Sequence, residues 1–314
     1  MITILTAPKP FTHPHINLIQ RNAIQSWTKL PDVDVLLMGS EAGIAEVAAE
    51  FGVRQVKDVP CSDSGLPLIS GMFDRGRELS DAPLLAYANA DIILLPDFVE
   101  AAQNVADQAN EFLLVGQRWN LDVTELIDFS EGYEDRLRMM VAKQGELYTL
   151  AASDFFVFPR HLFTDVPDLL VGRSGWDNWM MYYGTRQPWP AVDVTADTVC
   201  IHQNHDYAHL PEGQPHYTLE ESQVNIRLAG GRRHMYQMFD VNKRLVNGKL
   251  RPQKYWLARW LHKIELSLET DAMEGKRWEL ARRISRLRRR IMRSYTRKSE
   301  ASRTGHNYLG ESDQ

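Results

Sequence analysis

Leu84-Leu-Ala-Tyr-Ala-Asn-Ala-Asp-Ile-Ile-Leu-Leu95 is an apolar run broken at its middle by Asn89 and Asp91. A run of this kind reads as a strand through a domain core. Asn and Asp are residues that strands avoid, and an ionised carboxylate is costly to bury unless something pairs with it. Three solutions are open: a divalent cation carrying a phosphate, a hydrogen-bond network, or a strand end open to water.

The segments before this run place it in a sheet. Ile2–Thr6 reads as a first strand, and Ile16, Ile19, Ala23, Ile24 and Trp27 recur at helical spacing. Val33–Met38 reads as a second strand stopped by Gly39-Ser40, with Ser40 capping a helix that Gly52 ends. Val53–Val59 reads as a third strand. Ser62–Pro67 forms a loop before a helix through Leu79, and Asp97 opens another helix after the interrupted run. Strand–helix alternation at these lengths predicts an α/β fold, a mostly parallel sheet flanked by helices. In such sheets ligands bind beyond the carboxyl ends of the strands. That rule gathers Thr6 to Pro10, Gly39-Ser40, Ser62 to Gly65 and Asn89 to Asp91 along one rim. Neither a GxGxxG fingerprint nor a GxxxxGK[ST] loop is present, which weighs against dinucleotide oxidoreductases and P-loop enzymes.

Further along, Phe112–Trp119 and Asp154–Phe158 read as strands, Trp176–Tyr183 as a helix opening near an acid, and Thr198–His202 as a last short strand. At about Asn247 aromatic and basic residues rise and turn signals fade. The expected organisation is therefore a catalytic domain over 1–246, a helical basic extension over 247–298 and a disordered tail over 299–314.

With 314 residues, 44% of them hydrophobic and 25% charged, the chain can bury a large core. Cys61 and Cys200 are its only cysteines, so no disulfide framework is suggested and a reducing cytoplasmic setting fits. No apolar run is long enough to span a bilayer. The net charge of −5 hides an asymmetry: residues 276–298 hold eleven basic side chains against Glu279 alone, so the remainder is distinctly acidic. That distribution disfavours a cationic body for gripping nucleic acid. Leu280, Ile284, Leu287 and Ile291 recur at three- and four-residue spacing within the basic segment, an amphipathic pattern. It suits an anionic membrane surface over residues 276–295, with peripheral association, or a helix docked within the protein; nucleic acid ranks third.

With the βαβ start, the Tyr87–Leu94 strand, Ser153-Asp-Phe-Phe-Val-Phe-Pro159, Gly175-Trp-Asp-Asn-Trp179 and His202-Gln-Asn-His205 in view, residues 1–210 resemble a nucleotide-sugar-dependent glycosyltransferase of the GT-A fold, similar to family 2. The resemblance implies a nucleotide-diphospho-sugar transferase fold and transfer of a sugar to a glycan or lipid-linked acceptor. It also implies Mn2+ or Mg2+ at the donor diphosphate, held at an Asp-x-Asp motif whose first acid is here Asn89. Asp91, His202 and His205 are the metal candidates, with Asp206 orienting an imidazole. Thr6, Pro8, Lys9, Gly65, Asn89 and Asp91 fall on the donor side, and Arg118, Trp119, Asp154 and Trp176 are candidates for sugar or acceptor contacts. Asp177, opening a helix, is the candidate base of an inverting reaction. Each has a plainer reading: Asn89 and Asp91 capping a turn, the histidines and tryptophans as ordinary structural residues, and Asp177 as an acid favoured at a helix N-terminus. A sugar-phosphate nucleotidyltransferase and a non-catalytic nucleotide-sugar-binding module remain as alternatives. The former wants a Gly-rich basic loop after the first strand, which Thr6–Pro10 does not supply.

Overall fold

The computed structural model describes residues 1–151, 153–205, 219–269 and 274–307, with backbone alone at 294 and 296–307. The chain divides into two compact units, Met1–Pro252 and Gln253–Gln314.

The first unit begins with β1 (Ile2–Thr6), α1 (Pro14–Thr28), β2 (Val33–Met38), α2 (Ile44–Phe51), β3 (Arg54–Val56), α3 (Ile69–Leu79) and β4 (Leu84–Ala88). β1 pairs in parallel with β2 and β4, and β2 with β3, as strand–helix alternation requires. Gly52 ends α2 in the left-handed conformation at φ 65°. The helix itself opens at Gly43 rather than Ser40.

The run from Leu84 to Leu95 is two strands rather than one. β4 ends at Ala88, and β5 (Ile92–Leu94) belongs to a different sheet. Asn89, Ala90 and Asp91 form the turn between them, with the Ile92 N–H donating to the Asn89 carbonyl at 3.1 Å. The polar interruption is therefore a change of sheet.

The chain continues through α4 (Asp97–Ala106), β6 (Leu113–Val115), β7 (Trp119–Leu121), α5 (Tyr133–Gln144), β8 (Glu146–Leu147), β9 (Phe155–Pro159), α6 (Trp176–Arg186), β10 (Ala191–Asp193) and β11 (Cys200–Gln203). Phe112–Trp119, expected as one strand, is likewise split between two sheets as β6 and β7. After α7 (Glu220–Leu228), β12 (Lys243–Val246) and β13 (Lys249–Pro252) close the unit as an antiparallel hairpin. This hairpin moves the break in the chain from about 247 to Pro252, because residues 249–252 pair into the sheet.

Nine strands form the main sheet in the order β13-β12-β10-β6-β9-β4-β1-β2-β3. β9 runs antiparallel to both its neighbours, β4 and β6, in an otherwise mostly parallel sheet. All five of its residues are buried, and they alternate between the faces. Phe155 and Val157 enter the core beneath α1 and α4. Phe156 meets Trp176 of α6, and Phe158 meets Phe73 of α3. Helices thus cover both faces.

Four short strands, β5-β11-β7-β8, form a second sheet. Its core joins Ile93, Leu95, Leu121 and Ile201 to Phe129, Tyr133, Leu137 and Val141 on and before α5. Trp27 of α1, fully buried, ties this sheet to the main core: its indole N–H donates to the Ile92 carbonyl at 3.0 Å. Both cysteines are free thiols, Cys61 exposed and Cys200 buried.

The second unit contains α8 (Trp256–Leu268) and α9 (Gly275–Asn307). α9 extends to Asn307, and residues 308–314 lie outside the described residues. The two helices are antiparallel, since Ser267 meets Arg277 while Tyr255 meets Tyr295. Among the described residues no helix is long and apolar enough to cross a membrane.

Replacing Trp27 with Phe leaves the Ile92 carbonyl buried without its donor. Equilibrium urea unfolding should show a loss of about 1–3 kcal/mol.

Candidate functional site

The turn after β4 supplies Asp91, and pairing in the small sheet brings it two histidines from far along the chain. β11 pairs antiparallel with β5 in a register that sets His202 opposite Ile92, the residue following Asp91. The Gln203 backbone and side-chain N–H groups both donate to the Asp91 carbonyl at 3.2 Å, which holds this register at the turn. His205 Nε2 lies 3.1 Å and His202 Nε2 3.8 Å from Asp91 Oδ2. The three ligand atoms lie within 4.8 Å of one another. Asp206, expected to orient an imidazole, lies outside the described residues.

Burial opposes ionisation of Asp91, but His202, the hydrogen bond from His205 and the charge of Lys9 together hold its carboxyl well below the usual range. Burial pushes His202 the other way, toward the neutral form, and outweighs the pull of Asp91. An ionised carboxylate beside a neutral imidazole is the protonation state a divalent cation needs. Among the described residues, Asp91 Oδ1 and His202 Nδ1 are buried without a hydrogen-bond partner. Two ligands each about 2.1 Å from an ion stand about 3 Å apart when adjacent in its shell. The cluster is close to that spacing, and its carboxylate–imidazole donor set suits Mn2+ better than Mg2+.

Thr6 and Lys9 follow from the end of β1. Thr6 is fully buried, its hydroxyl unpartnered among the described residues, and Pro8 is buried beside it. Lys9 is fixed through its backbone: its N–H donates to Gln20 Oε1 at 2.7 Å and its carbonyl accepts from Gln20 Nε2 at 2.9 Å. Gln20 sits buried on α1, where nothing in the helical pattern marked it out. Burial lowers the Lys9 pKa, Asp91 opposes that shift, and Arg173 adds to it, so Lys9 lies in the fields of both the acid and Arg173. Arg173, in the loop before α6, was not foreseen; it is paired with Glu221 of α7. Gly65 lies in an exposed turn at φ 82°. Ser64 of that turn and Arg173 both hydrogen-bond to Glu221.

The reversed strand β9 explains Asp154. Because Ala88 pairs with Phe155, the residue before β9 stands beside the residue after β4. The Asn89 N–H donates to the Asp154 carbonyl at 2.9 Å, and Asn89 Nδ2 donates to Asp154 Oδ1 at 2.7 Å. Arg118 Nη1 donates to the same oxygen at 2.7 Å, with its guanidinium 4.2 Å from the centre of the Tyr148 ring. The Tyr87 hydroxyl donates to Asn89 Oδ1 at 3.0 Å, fixing which way the amide points. Asn89 therefore has a role that an Asp would not fill. A carboxylate there would lose the N–H that Asn89 donates and face the Asp154 carboxylate, leaving Arg118 as the donor at that oxygen.

Asp177 is the second residue of α6, which Gly175 caps at φ 106°. The Asn178 amide anchors this helix start to the Ala151 and Tyr236 carbonyls at 3.2 and 2.7 Å. A helix N-terminus favours a charged acid, yet burial wins and pushes the Asp177 carboxyl up to about 6, with Asp154 adding to the shift. Its backbone N–H partners only partly offset this. Asp154 and Asp177 are thus electrostatic neighbours, and the Tyr87 hydroxyl lies in the field of both and of Asp91.

Trp176 is a core residue rather than a surface for stacking. It is buried, 4.6 Å from the Tyr87 ring and 5.2 Å from the Phe156 ring, both contacts tilted toward edge-on. Trp119 is partly buried against the core of the small sheet.

No protein-family model matches the chain, and no curated protein matches it. Among solved structures it is similar to glucosyl-3-phosphoglycerate synthase from Mycobacterium tuberculosis, with 16% identity, 82% of this chain and 92% of that chain covered, and a TM-score of 0.47. It is also similar to S. aureus TarS 1-349 in complex with UDP-GlcNAc, with 12% identity, 90% and 79% covered, and a TM-score of 0.49. Likeness at this level bears on neither substrate nor reaction.

Asn89→Asp should lower stability by about 2 kcal/mol or more at neutral pH, as two carboxylates are forced together. The deficit should shrink as pH falls and one of them takes up a proton. Urea unfolding of both proteins across a pH series checks this.

Proposed function

We propose that this chain is a glycosyltransferase of GT-A type that moves a sugar from a nucleotide-sugar donor to an acceptor hydroxyl, with inversion. The observation that carries the proposal is the cluster of Asp91, His202 and His205 at the carboxyl end of β4, two of whose buried polar atoms lack partners among the described residues. Asp91, His202 and His205 would hold Mn2+ or Mg2+. When bound, the cation supplies charge that stabilises a diphosphate leaving group. Lys9 adds positive charge beside Asp91, and Arg173 beside Lys9, which would favour negative charge developing as the bond to the diphosphate breaks.

Asp177 acts as the base. The acceptor oxygen forms its bond to the anomeric carbon, the bond from that carbon to the diphosphate oxygen breaks, and the acceptor proton passes to the Asp177 carboxylate. A carboxyl raised to about 6 is a better proton acceptor than an ordinary Asp, yet is still ionised at neutral pH. Arg118 and Asn89 act through Asp154, which they hold in one orientation at the edge of this space. The acceptor class we favour is a glycan or a lipid-linked sugar.

Isothermal titration with Mn2+ and nucleoside diphosphate should show coupled binding. Asp91→Ala or His202→Ala should weaken the metal by about a hundred-fold or more. Unchanged metal and nucleotide binding in both variants would defeat the donor-site reading.

Asp177→Asn should reduce kcat by about a hundred-fold or more. Wild-type kcat/KM should rise with pH through about 6 and then level, because only the ionised base works. Stability moves in the opposite sense. The folded protein holds this proton more tightly than an unfolded chain with its ordinary value of 3.8, so the contribution is complete below that value and is lost as pH rises through about 6. At alkaline pH Asp177→Asn should therefore be more stable than wild type by about 1 kcal/mol, after allowance for partial exposure. Full turnover in this variant would remove the base assignment.

A further inference from the structure

The second unit keeps apolar side chains in water alongside its arginines. Trp256 and Trp260 stand one helical turn apart on α8 and are 68% and 58% exposed. Lys263, a further turn along, is exposed on the same face. On α9, Leu280 and Leu287 are 48% and 49% exposed. They alternate with exposed Arg283 and Arg290 at spacings of three and four, which places all four along one line of the helix.

This exposure is not a by-product of helix pairing. Of the stripe that suits either a membrane surface or docking within the protein, Leu280 and Leu287 are exposed, while among the described residues of α9 the buried ones are Ala281 and Arg288. Arg288 Nε and Nη2 donate to the two Glu265 oxygens of α8 at 2.8 and 3.3 Å. The seam is thus satisfied by a buried ion pair, and the leucines face away from it. Arg282, Arg283, Arg286, Arg289, Arg290 and Arg293 are all exposed.

We propose that the α8–α9 pair lies on an anionic phospholipid surface. Three kinds of exposed side chain suit such a surface. Indoles settle at the headgroup level, with an apolar body and a polar N–H. Leucines enter the acyl boundary, and arginines meet lipid phosphates. Nucleic acid would engage the arginines and could stack on the indoles, but it offers nothing to two exposed leucines. Helices that lie in the plane of the interface need no spanning segment, consistent with the helix lengths and compositions described.

The test uses the full chain, sedimented with vesicles of phosphatidylcholine alone or mixed with phosphatidylglycerol, and with single-stranded DNA as a competitor. Binding is expected to mixed vesicles only, to weaken with salt, and to bring tryptophan emission within reach of quenching by brominated lipid. Arg283→Glu/Arg286→Glu/Arg290→Glu should lose binding on the order of a hundred-fold. Trp256→Ser/Trp260→Ser should lose about ten-fold or more, together with the quenching. All five positions are exposed, and thermal unfolding of each variant checks that the fold persists. Failure to sediment with mixed vesicles would overturn the proposal, as would equal binding to neutral vesicles. Wild-type affinity in the tryptophan variant, or DNA displacing the vesicles through the same arginines, would overturn it too.

Discussion

A carboxylate placed where an apolar strand would otherwise continue has to be met by positive charge or metal, and most of the first unit's irregularity serves that need at Asp91. Burying an unpaired carboxylate costs several kcal/mol, comparable to a large part of a domain's net stability. The two imidazoles arrive from more than a hundred residues away. Delivering His202 requires β11 to pair with β5, and that pairing is possible only because the chain leaves the main sheet at Asn89. Gln203 and Trp27 then hold the far end of the turn, one at the Asp91 carbonyl and the other at the Ile92 carbonyl. The small sheet is therefore the device that completes the site, with a core of its own to support it.

The reversed strand solves a second problem. A purely parallel sheet presents only strand ends on its ligand rim, so every rim residue follows a strand. Reversing β9 brings a strand beginning to the same edge, and with it Asp154. Two acids on adjacent strands would repel, and the chain avoids this by placing an amide at position 89. The Asn89 side chain accepts from Tyr87 and donates to Asp154. The acid at this edge is therefore Asp154, across the strand pair and ion-paired with Arg118.

The parts legible in sequence were those with a period or a break in one. β1, β2 and β4 read as buried apolar strands, α1 carried its helical stripe, and Asp91 stood out because it violated its context. His202 and His205 were visible as a pair, but their meeting with Asp91 depends on a pairing register that no local pattern encodes. The direction of β9 was hidden for a simple reason: Phe155–Pro159 is buried on both faces, so its pattern is the same whichever way it runs. Arg173 lies in a loop of Gly, Arg and Ser with no period at all, and Gln20 is one polar residue on an otherwise ordinary helix. On α9 the apolar spacing gave the helix but left open which face packs. Glu265 lies across from Arg288, and a charge pair sits in the seam with α8, which residue spacing on one helix does not reveal.

Asp91 and Asp177 show how one residue type can serve two purposes a short distance apart. Both are enclosed by protein, so desolvation works against the charge in each. The outcome is decided by what else is near. Asp91 has two imidazoles and Lys9, which more than offset the cost of burial and make it a fixed negative charge at any ordinary pH. Asp177 has only backbone N–H groups in its favour, and Asp154 against it, so its proton leaves near pH 6. A helix N-terminus, which by itself would keep this acid ionised, is worth about 1 kcal/mol and is outweighed. In the reaction we propose, environments that push two carboxylates apart in this way would give them different tasks: one suited to holding a cation in place, the other to accepting a proton when a hydroxyl attacks.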